Sequence, residues 1–563
     1  MTSQPVKSQP AGMREAAMGR AWPIAPVPRI RAGSPSRSGI SRNSMDDHPA
    51  PDSIAAAMAD PGFYPDAPSA VEVRETHISW VFLAGDRAFK LRKAVVFPFL
   101  DYGTAERRRS MAEEEIRLGR RLAPDMYLGL RAVVREAGAY ALAEAGHPAA
   151  VEHVVEMARF DEERTLAARL RSGQAGEHEV RRLARRVAGF HARAEPAPAG
   201  SFGASQVADE VLGNFTTLLA DAGALPTVRL AAAHRFAVSF LHGRSDRFEE
   251  RVAGGRVRDC HGDLRLEHVV IRADELAIFD PVEFDPRLRR IDVAADLAFL
   301  VMELEEAGRA DLARVLAEEY RAAGGDDGGH VLLSFYAAYR AWVRAKVACL
   351  RAGELPGGPE RSARLERARG LAELGERFAW RARGPLLIVV CGAAATGKTR
   401  LAEALAGVSG LPHLSSDVVR KELLGIAPSE RAPAEAYSEE GSIRTYRELG
   451  ARARGSAVVD ATFRLRSHRE AFAAGRGSDL PEPVFAECRA PAAVVAERAR
   501  ARAVDPKRVS DATAEIAARQ LAEFEPLDEI DPSRHVLLRT DREPPEIVDD
   551  LLAALDARLA RGR

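Results

Sequence analysis

Hydrophobic and polar positions change rhythm several times along this chain, and each change marks an element. Residues 1–50 show no hydrophobic periodicity. They are rich in Pro, Ser, Gly and Arg, with Glu15 the single acid before Asp46, and predict a disordered tail. From about residue 70 short alternations begin, with strands expected at Val71–Val73, His77–Leu83 and Ala88–Leu91 and a turn at Gly85-Asp86. A helix follows over Thr104–Leu122, stopped by Pro124, and then strands near Ala132–Arg135, Ala139–Glu144 and Val151–Met157. Residues 162–250 read as mostly helical, two short strands fall within 260–280, and long helices fill 292–378. At Ala382-Arg383-Gly384-Pro385 the pattern shifts again, and residues 385–563 alternate strand and helix as a parallel sheet requires. The expected organisation is a tail (1–50), a mixed α+β domain (51–380) and an α/β domain (384–563).

The most informative stretch opens the last of these. Leu386 to Val390 is an apolar run suited to a strand buried on both faces. It breaks into Gly392-Ala393-Ala394-Ala395-Thr396-Gly397-Lys398-Thr399, which matches the phosphate-binding loop pattern in full, and a helix-forming run follows. The glycines let backbone N–H groups wrap phosphates, and the helix N-terminus adds favourable partial charge. Lys398 would reach the β/γ-phosphates and the Thr399 hydroxyl would bind Mg²⁺. The pattern predicts a nucleoside triphosphate site.

Composition narrows the setting. The formal net charge is −1, which points to no polyanionic partner and disfavours nucleic acid. No apolar run approaches the roughly 18 residues of a membrane span. The four cysteines, Cys260, Cys349, Cys391 and Cys488, lack the spacing of a zinc site or a disulfide framework, so a cytoplasmic protein is expected. Arg and Ser richness in the tail is similar to an organelle transit peptide; a dispensable tail, or a start at Met45, is the preferred reading. Only Lys7, Lys90, Lys93, Lys346, Lys398, Lys421 and Lys507 are lysine among 81 basic residues, which draws attention to Lys90 as well as Lys398.

A second constellation lies upstream. His261-Gly262-Asp263 precedes the apolar Val269-Val270-Ile271, and Leu276-Ala277-Ile278-Phe279 then runs into Asp280. One carboxylate in a loop and another after the next strand is the layout of a kinase centre, the first accepting the hydroxyl proton and the second holding Mg²⁺. Met111, Glu115, Leu118 and Leu122 share a helix face, so Glu115 needs a cationic partner, which Lys90 could supply. Glu113 and Glu114 leave an ordinary surface helix open as the alternative. Residues 60–375 thereby resemble the aminoglycoside phosphotransferase family, a relative of the protein kinases. The resemblance implies that Lys90 contacts the α/β-phosphates, Glu115 pairs with it, Asp263 is the catalytic base and Asp280 binds metal. It also implies a hinge for adenine at Val154-Val155-Glu156-Met157 and a structural carboxylate at Asp296. His268 stands where the family carries a metal-binding Asn, and an imidazole is a poorer Mg²⁺ ligand than an amide oxygen. The glycine-rich cover loop of protein kinases is missing from His77–Leu83.

In the last domain, Leu411–Asp417 reads as a strand ending in polar residues, which puts Asp417 on the ligand side of a parallel sheet. Asp417 could accept a hydroxyl proton or orient the acceptor, or cap the helix Val418–Leu424, with Arg420 nearby to hold an anion. Asp460, ending Ala457-Val458-Val459, would hold the Mg²⁺ shell. Arg498 and Arg502 share a helix face leading into a candidate lid at 504–508, with a solvated face as the alternative. These features resemble small P-loop kinases such as gluconate and polynucleotide kinases, and zeta toxins. The whole is similar to bifunctional aminoglycoside phosphotransferase/ATP-binding proteins. The implied fold is an α+β protein-kinase-like domain followed by an α/β P-loop domain with a parallel sheet. The implied function is a phosphotransferase with two Mg-ATP centres acting on a hydroxyl of a small molecule. The alternative is a P-loop ATPase or kinase regulated by a non-catalytic kinase-like module. Neither reading names the acceptor, because the same fold serves antibiotic, sugar and choline kinases.

Overall fold

Alternation along the strand Arg87–Arg92 sorts its side chains between two cores. Phe89 and Leu91 pack with Phe82, Val133 and Val154 against the helix Pro51–Met58, while Ala88 faces Ala112 and Ile116 of the helix Ala105–Gly119. Lys90 and Arg92, two and four residues on from Ala88, share that second face. The strand sits third in a six-stranded antiparallel sheet, ordered Val71–Glu75, Ser79–Ala84, Arg87–Arg92, Ala150–Ala158, Tyr127–Glu136 and Ala139–Glu144. Register sets Lys90 opposite Val81 on one side and Val155 on the other. Thr104 caps the helix Ala105–Gly119, its hydroxyl accepting from the Arg107 N–H at 3.3 Å.

The computed structural model describes residues 51–562 except 98–99, 199, 201–202, 221–224, 273–274, 428–429, 479 and 504–512. The expected tail and the candidate lid lie outside the described residues. A helical layer follows the sheet, with helices that include Glu177–Arg193, Thr227–Gly243, Val293–Glu306, Gly329–Glu354 and Pro359–Ala382. Its core gathers Phe215, Phe236, Phe240, Phe335 and Trp342, the rings of Phe240 and Phe335 stacked 4.2 Å apart. Between the layers, the hairpin Val269–Ile271 and Leu276–Ile278 carries the His-Gly-Asp loop on its leading side.

The chain leaves Pro359–Ala382 and turns directly into Leu387–Cys391, fully buried and central in a parallel sheet ordered His413–Ser415, Ala457–Asp460, Leu387–Cys391, Val484–Arg489, His535–Arg539. Each face has its own core. Helices Lys398–Ser409 and Pro544–Ala560 cover one, Glu439–Arg452 and Arg466–Gly475 the other. The last helix also docks on Thr227–Gly243 of the first half. Asp556, fully buried, accepts from Arg383 at 2.6 Å and lies 3.4 Å from Arg235, which bonds Asp549 at 2.6 Å. Residues Pro49–Arg563 accordingly form one compact unit. No helix among the described residues is long and apolar enough to cross a membrane.

Candidate functional site

Lys90 is the centre of the first constellation. Its Nζ donates to Glu115 Oε1 at 3.0 Å and to Asp280 Oδ1 at 2.9 Å. Glu115 is 1% exposed, and burial pushes its carboxyl up against the opposing pull of Lys90 and Arg92. Burial acts on Lys90 to lower its pKa, but Asp280, Glu115 and Glu283 outweigh it and hold the ammonium charged well above its usual range. For Asp280 burial is outweighed by Lys90 and His268, so this carboxyl stays ionised far into acid. Asp280 follows the strand Leu276–Ile278 in a left-handed conformation, φ +61°, with its N–H donating to the Tyr127 hydroxyl at 2.9 Å. That backbone form is uncommon outside glycine and turns the carboxylate toward Lys90.

The His-Gly-Asp loop is held from below. Asp296 accepts from the N–H of His261 at 3.0 Å and of Gly262 at 2.9 Å, and from His191 Nε2 at 3.1 Å. Gly262 has φ +87°, and a Cβ there would sit 2.9 Å from the Leu288 carbonyl, so the turn requires glycine. Cys260 lies beside Asp296 and His191, but burial pushes its thiol up and its Sγ donates to the Ile291 carbonyl at 3.5 Å, which suits packing rather than a metal. Asp263 is about one-third exposed at the loop's tip. His268 is buried. Its Nδ1 must carry the proton, because it lies 2.9 Å from a carbonyl, that of Asp263. Its Nε2 faces Asp280, whose Oδ2 is 3.8 Å away. Asp280 and His268 thus converge in a way that fits a divalent cation.

In the second half, Gly392, Ala395 and Gly397 take φ of +136°, +61° and +101°, which curls the loop over the start of the helix Lys398–Ser409. A Cβ on Gly392 would stand 2.6 Å from the Cys488 carbonyl. Ala393, Ala394, Ala395 and Thr396 are buried, and Thr399 is exposed in the first helical turn. Lys398 Nζ donates to the Ala393 carbonyl at 2.8 Å, and the Ala394 N–H donates to Gln520 Oε1 at 2.9 Å. Asp460 ends its strand in register with Val390 on one side and Ser415 on the other, almost fully buried. The loop, the helix N-terminus and these strand ends form a cradle that fits phosphates.

Several expectations change. The segment Val154–Met157 lies inside the strand Ala150–Ala158, with Val154 and Val155 fully buried, so it offers adenine no free hinge. The helix after His413–Ser415 starts at Ser416, which puts Asp417 in its first turn and not at its cap. Arg420 is committed to packing, donating to the Ala436 carbonyl with Tyr437 4.6 Å from its guanidinium. Arg498 does not lie on a solvated face. It donates to the Thr540 carbonyl at 2.8 Å and to that of Thr396 at 3.4 Å, beside Gly397. The side chain of Arg502 lies outside the described residues. Glu113 and Glu114 pair with Arg109 and Arg117, leaving Glu115 as the inward carboxylate.

Sequence reasoning missed a second buried cation. Arg92, 2% exposed, bonds Glu115 and reaches Glu283 at 3.1 Å, while the Tyr102 hydroxyl donates to Glu283 at 2.7 Å. Its place two residues from Lys90 on one strand face was the available signal. Thr540 and Gln520, which touch the phosphate loop from distant elements, had none.

Residues 387–527 match the family described as AAA domain. Solved structures with likeness include a gluconokinase from Sinorhizobium meliloti 1021, at 25% identity and TM-score 0.23, covering 31% of this chain and 94% of that one. Another is a choline/ethanolamine kinase family protein from Mesorhizobium loti, at 16% identity and TM-score 0.34, covering 56% of this chain and 94% of that one. The lysine strand with its partner helix and His-Gly-Asp loop, followed by a phosphate-type loop on a parallel sheet, define the class: an aminoglycoside phosphotransferase-like half fused to a P-loop kinase-like half. The chain is 34% identical over 466 residues to the uncharacterized protein Rv2004c of Mycobacterium tuberculosis (strain ATCC 25618 / H37Rv), over 80% of this chain and 89% of that protein. The same figures hold for the uncharacterized protein Mb2027c of Mycobacterium bovis. It belongs to their family.

Proposed function

We propose that the chain is an ATP-dependent phosphotransferase with two nucleotide centres, one in residues 51–380 and one in 384–563, acting on a hydroxyl of a small molecule. The observation that carries the reading is the meeting of Lys90, Glu115 and Asp280 within hydrogen-bond distance beside Asp263 and His268. In the first half Glu115 aims Lys90 at the phosphates, and Asp263 accepts the proton of the attacking hydroxyl. Asp280, ionised, and His268 hold the cation. In the second half Lys398 and the loop N–H groups bind phosphate, Thr399 and Asp460 hold the cation, and Asp417 orients the acceptor. Mg²⁺ bound at either place would neutralise phosphate charge. Catalysis is positioning and electrostatics rather than covalent chemistry. A cavity of about 230 Å³ beside Gly397, lined by Leu401, Arg498, Thr540 and Pro544, has room for a base.

A second reading, in which the first half is a nucleotide-binding regulator of the second, is favoured by His268 in the metal-ligand position. Calorimetric titration of a non-hydrolysable Mg-ATP analogue into wild type and the Lys398→Ala variant tests the nucleotide site of the first half, which both readings require. Two equivalents in wild type and one in the variant support tandem centres. One and none would sink them and leave the first half without a nucleotide.

A further inference from the structure

The strand His535–Arg539 runs parallel to Val484–Arg489, and the pairing carries one residue past its end, where the Thr540 N–H donates to the Arg489 carbonyl at 2.8 Å. That step brings Thr540 to the carboxyl edge of the sheet, where the glycine loop also lies. Thr540 is 2% exposed. Its hydroxyl oxygen stands 2.5 Å from the Thr396 carbonyl and 3.0 Å from that of Arg489. A hydroxyl has one proton, and the shorter approach gives it to Thr396. Arg498 spans the same two residues, donating to the Thr540 carbonyl at 2.8 Å and to the Thr396 carbonyl at 3.4 Å. Gly397 completes the contact: a Cβ there would stand 3.3 Å from Arg498 Nη1 and 3.6 Å from Thr540 Cβ.

Two donors thus draw on one carbonyl, and that carbonyl is one end of a peptide group. Among the described residues no peptide bond is cis, so the Thr396 carbonyl and the Gly397 N–H point in opposite directions. With the carbonyl held by Thr540 and Arg498, the Gly397 N–H is turned away from them. Among the described residues nothing accepts it. It stands next to the opening of the helix Lys398–Ser409, whose first N–H groups have no intrahelical acceptor by helix geometry. We propose that Thr540 is a positioning residue of the second half: its hydroxyl, supported by Arg498, fixes the Thr396–Gly397 peptide so that the Gly397 N–H is set for a phosphate oxygen before the nucleotide arrives. A donor fixed in advance adds affinity because binding does not have to order it. This inference rests on the nucleotide-site reading of residues 384–563 and deepens it by naming what holds the loop in its binding form.

The test uses the full chain carrying Lys90→Met, which leaves the second half as the nucleotide site. The Mg²⁺ complexes of a non-hydrolysable ATP analogue and of tripolyphosphate, which has no base, are titrated by calorimetry. Thr540→Val keeps the side chain's shape without its hydroxyl and should weaken both ligands by about tenfold. Thr540→Ser, which keeps the hydroxyl, should stay within about threefold of the parent. Thr540→Ala should behave as Thr540→Val does, so the comparison with serine survives if the valine variant does not fold. A loss confined to the ATP analogue, or tripolyphosphate that does not bind the parent, would assign Thr540 to the neighbouring cavity and overturn the proposal. So would equal affinities in the parent and the hydroxyl-free variants, whatever happens to their urea midpoints, since that is the mark of a purely structural hydroxyl. A parent that binds neither ligand would overturn the nucleotide-site reading beneath it.

Discussion

His268 Nε2 stands 3.8 Å from Asp280 Oδ2, while its Nδ1 donates to the Asp263 carbonyl at 2.9 Å. An imidazole in this place favours borderline metals over Mg²⁺, which prefers oxygen. The Lys398→Ala protein should therefore show a higher Co²⁺-to-Mg²⁺ ratio of metal-dependent nucleotide binding than the same protein with His268→Asn, by on the order of tenfold. An unchanged ratio would remove His268 from the metal shell.

Lys90 and Arg92 touch the same glutamate, yet their losses should differ in kind. Lys90→Met leaves Glu115 neutralised by Arg92, so stability changes little while turnover by the first half falls by about a hundredfold or more. Arg92→Met leaves Glu115 to Lys90 but strands the buried Glu283 with only the Tyr102 hydroxyl, and should cost roughly 3–5 kcal/mol on denaturant unfolding. Similar unfolding curves for both variants would contradict this division.

His468 makes the second half sensitive to acid. It stacks on Tyr446 at 4.5 Å, and burial together with Arg464, Arg420 and Arg469 holds its pKa down to about 4. The unfolded chain, with an ordinary imidazole, takes up the proton first on acidification. Stability should be fully present above about pH 6.5, fall from there toward pH 4, and level off below it. His468→Gln should flatten that segment of the stability profile measured by urea unfolding. A variant profile as steep as wild type would assign the acid loss elsewhere.

Gly243 ends its helix against the last helix of the chain, where a Cβ would stand 1.8 Å from the Leu559 carbonyl. Gly243→Ala should force the helices apart, at a cost of about 1–3 kcal/mol, and split unfolding followed by circular dichroism into two transitions. A single unshifted transition would mean that the halves do not depend on this contact for their cooperativity.

The turn between Leu387–Cys391 and Lys398–Ser409 was legible because strand, glycine turn and helix follow one another in the chain. Lys90, Glu115 and Asp280 were legible for a related reason, since strand and helix periods fix which way each side chain points. The hinge segment was misplaced because an apolar run reads the same in mid-sheet as at a sheet's edge. Arg92 was passed over because Lys90 already accounted for Glu115, and its second partner, Glu283, lies far along the chain. Arg498 was open to reading as a solvated arginine because the Thr540 and Thr396 carbonyls that engage it come from other elements.

Local pattern by itself determined the order of elements, the α+β and α/β characters of the two halves, and the glycine turn between Leu387–Cys391 and Lys398–Ser409. Those features rest on neighbours within a few residues, where backbone geometry leaves few choices. Only the tertiary structure decided which arginines are buried and paired, which nitrogen of His268 faces Asp280, and that the last helix ties the second half to the first. Burial and charge compensation depend on what distant segments bring to the same place, and no periodicity in the chain encodes that.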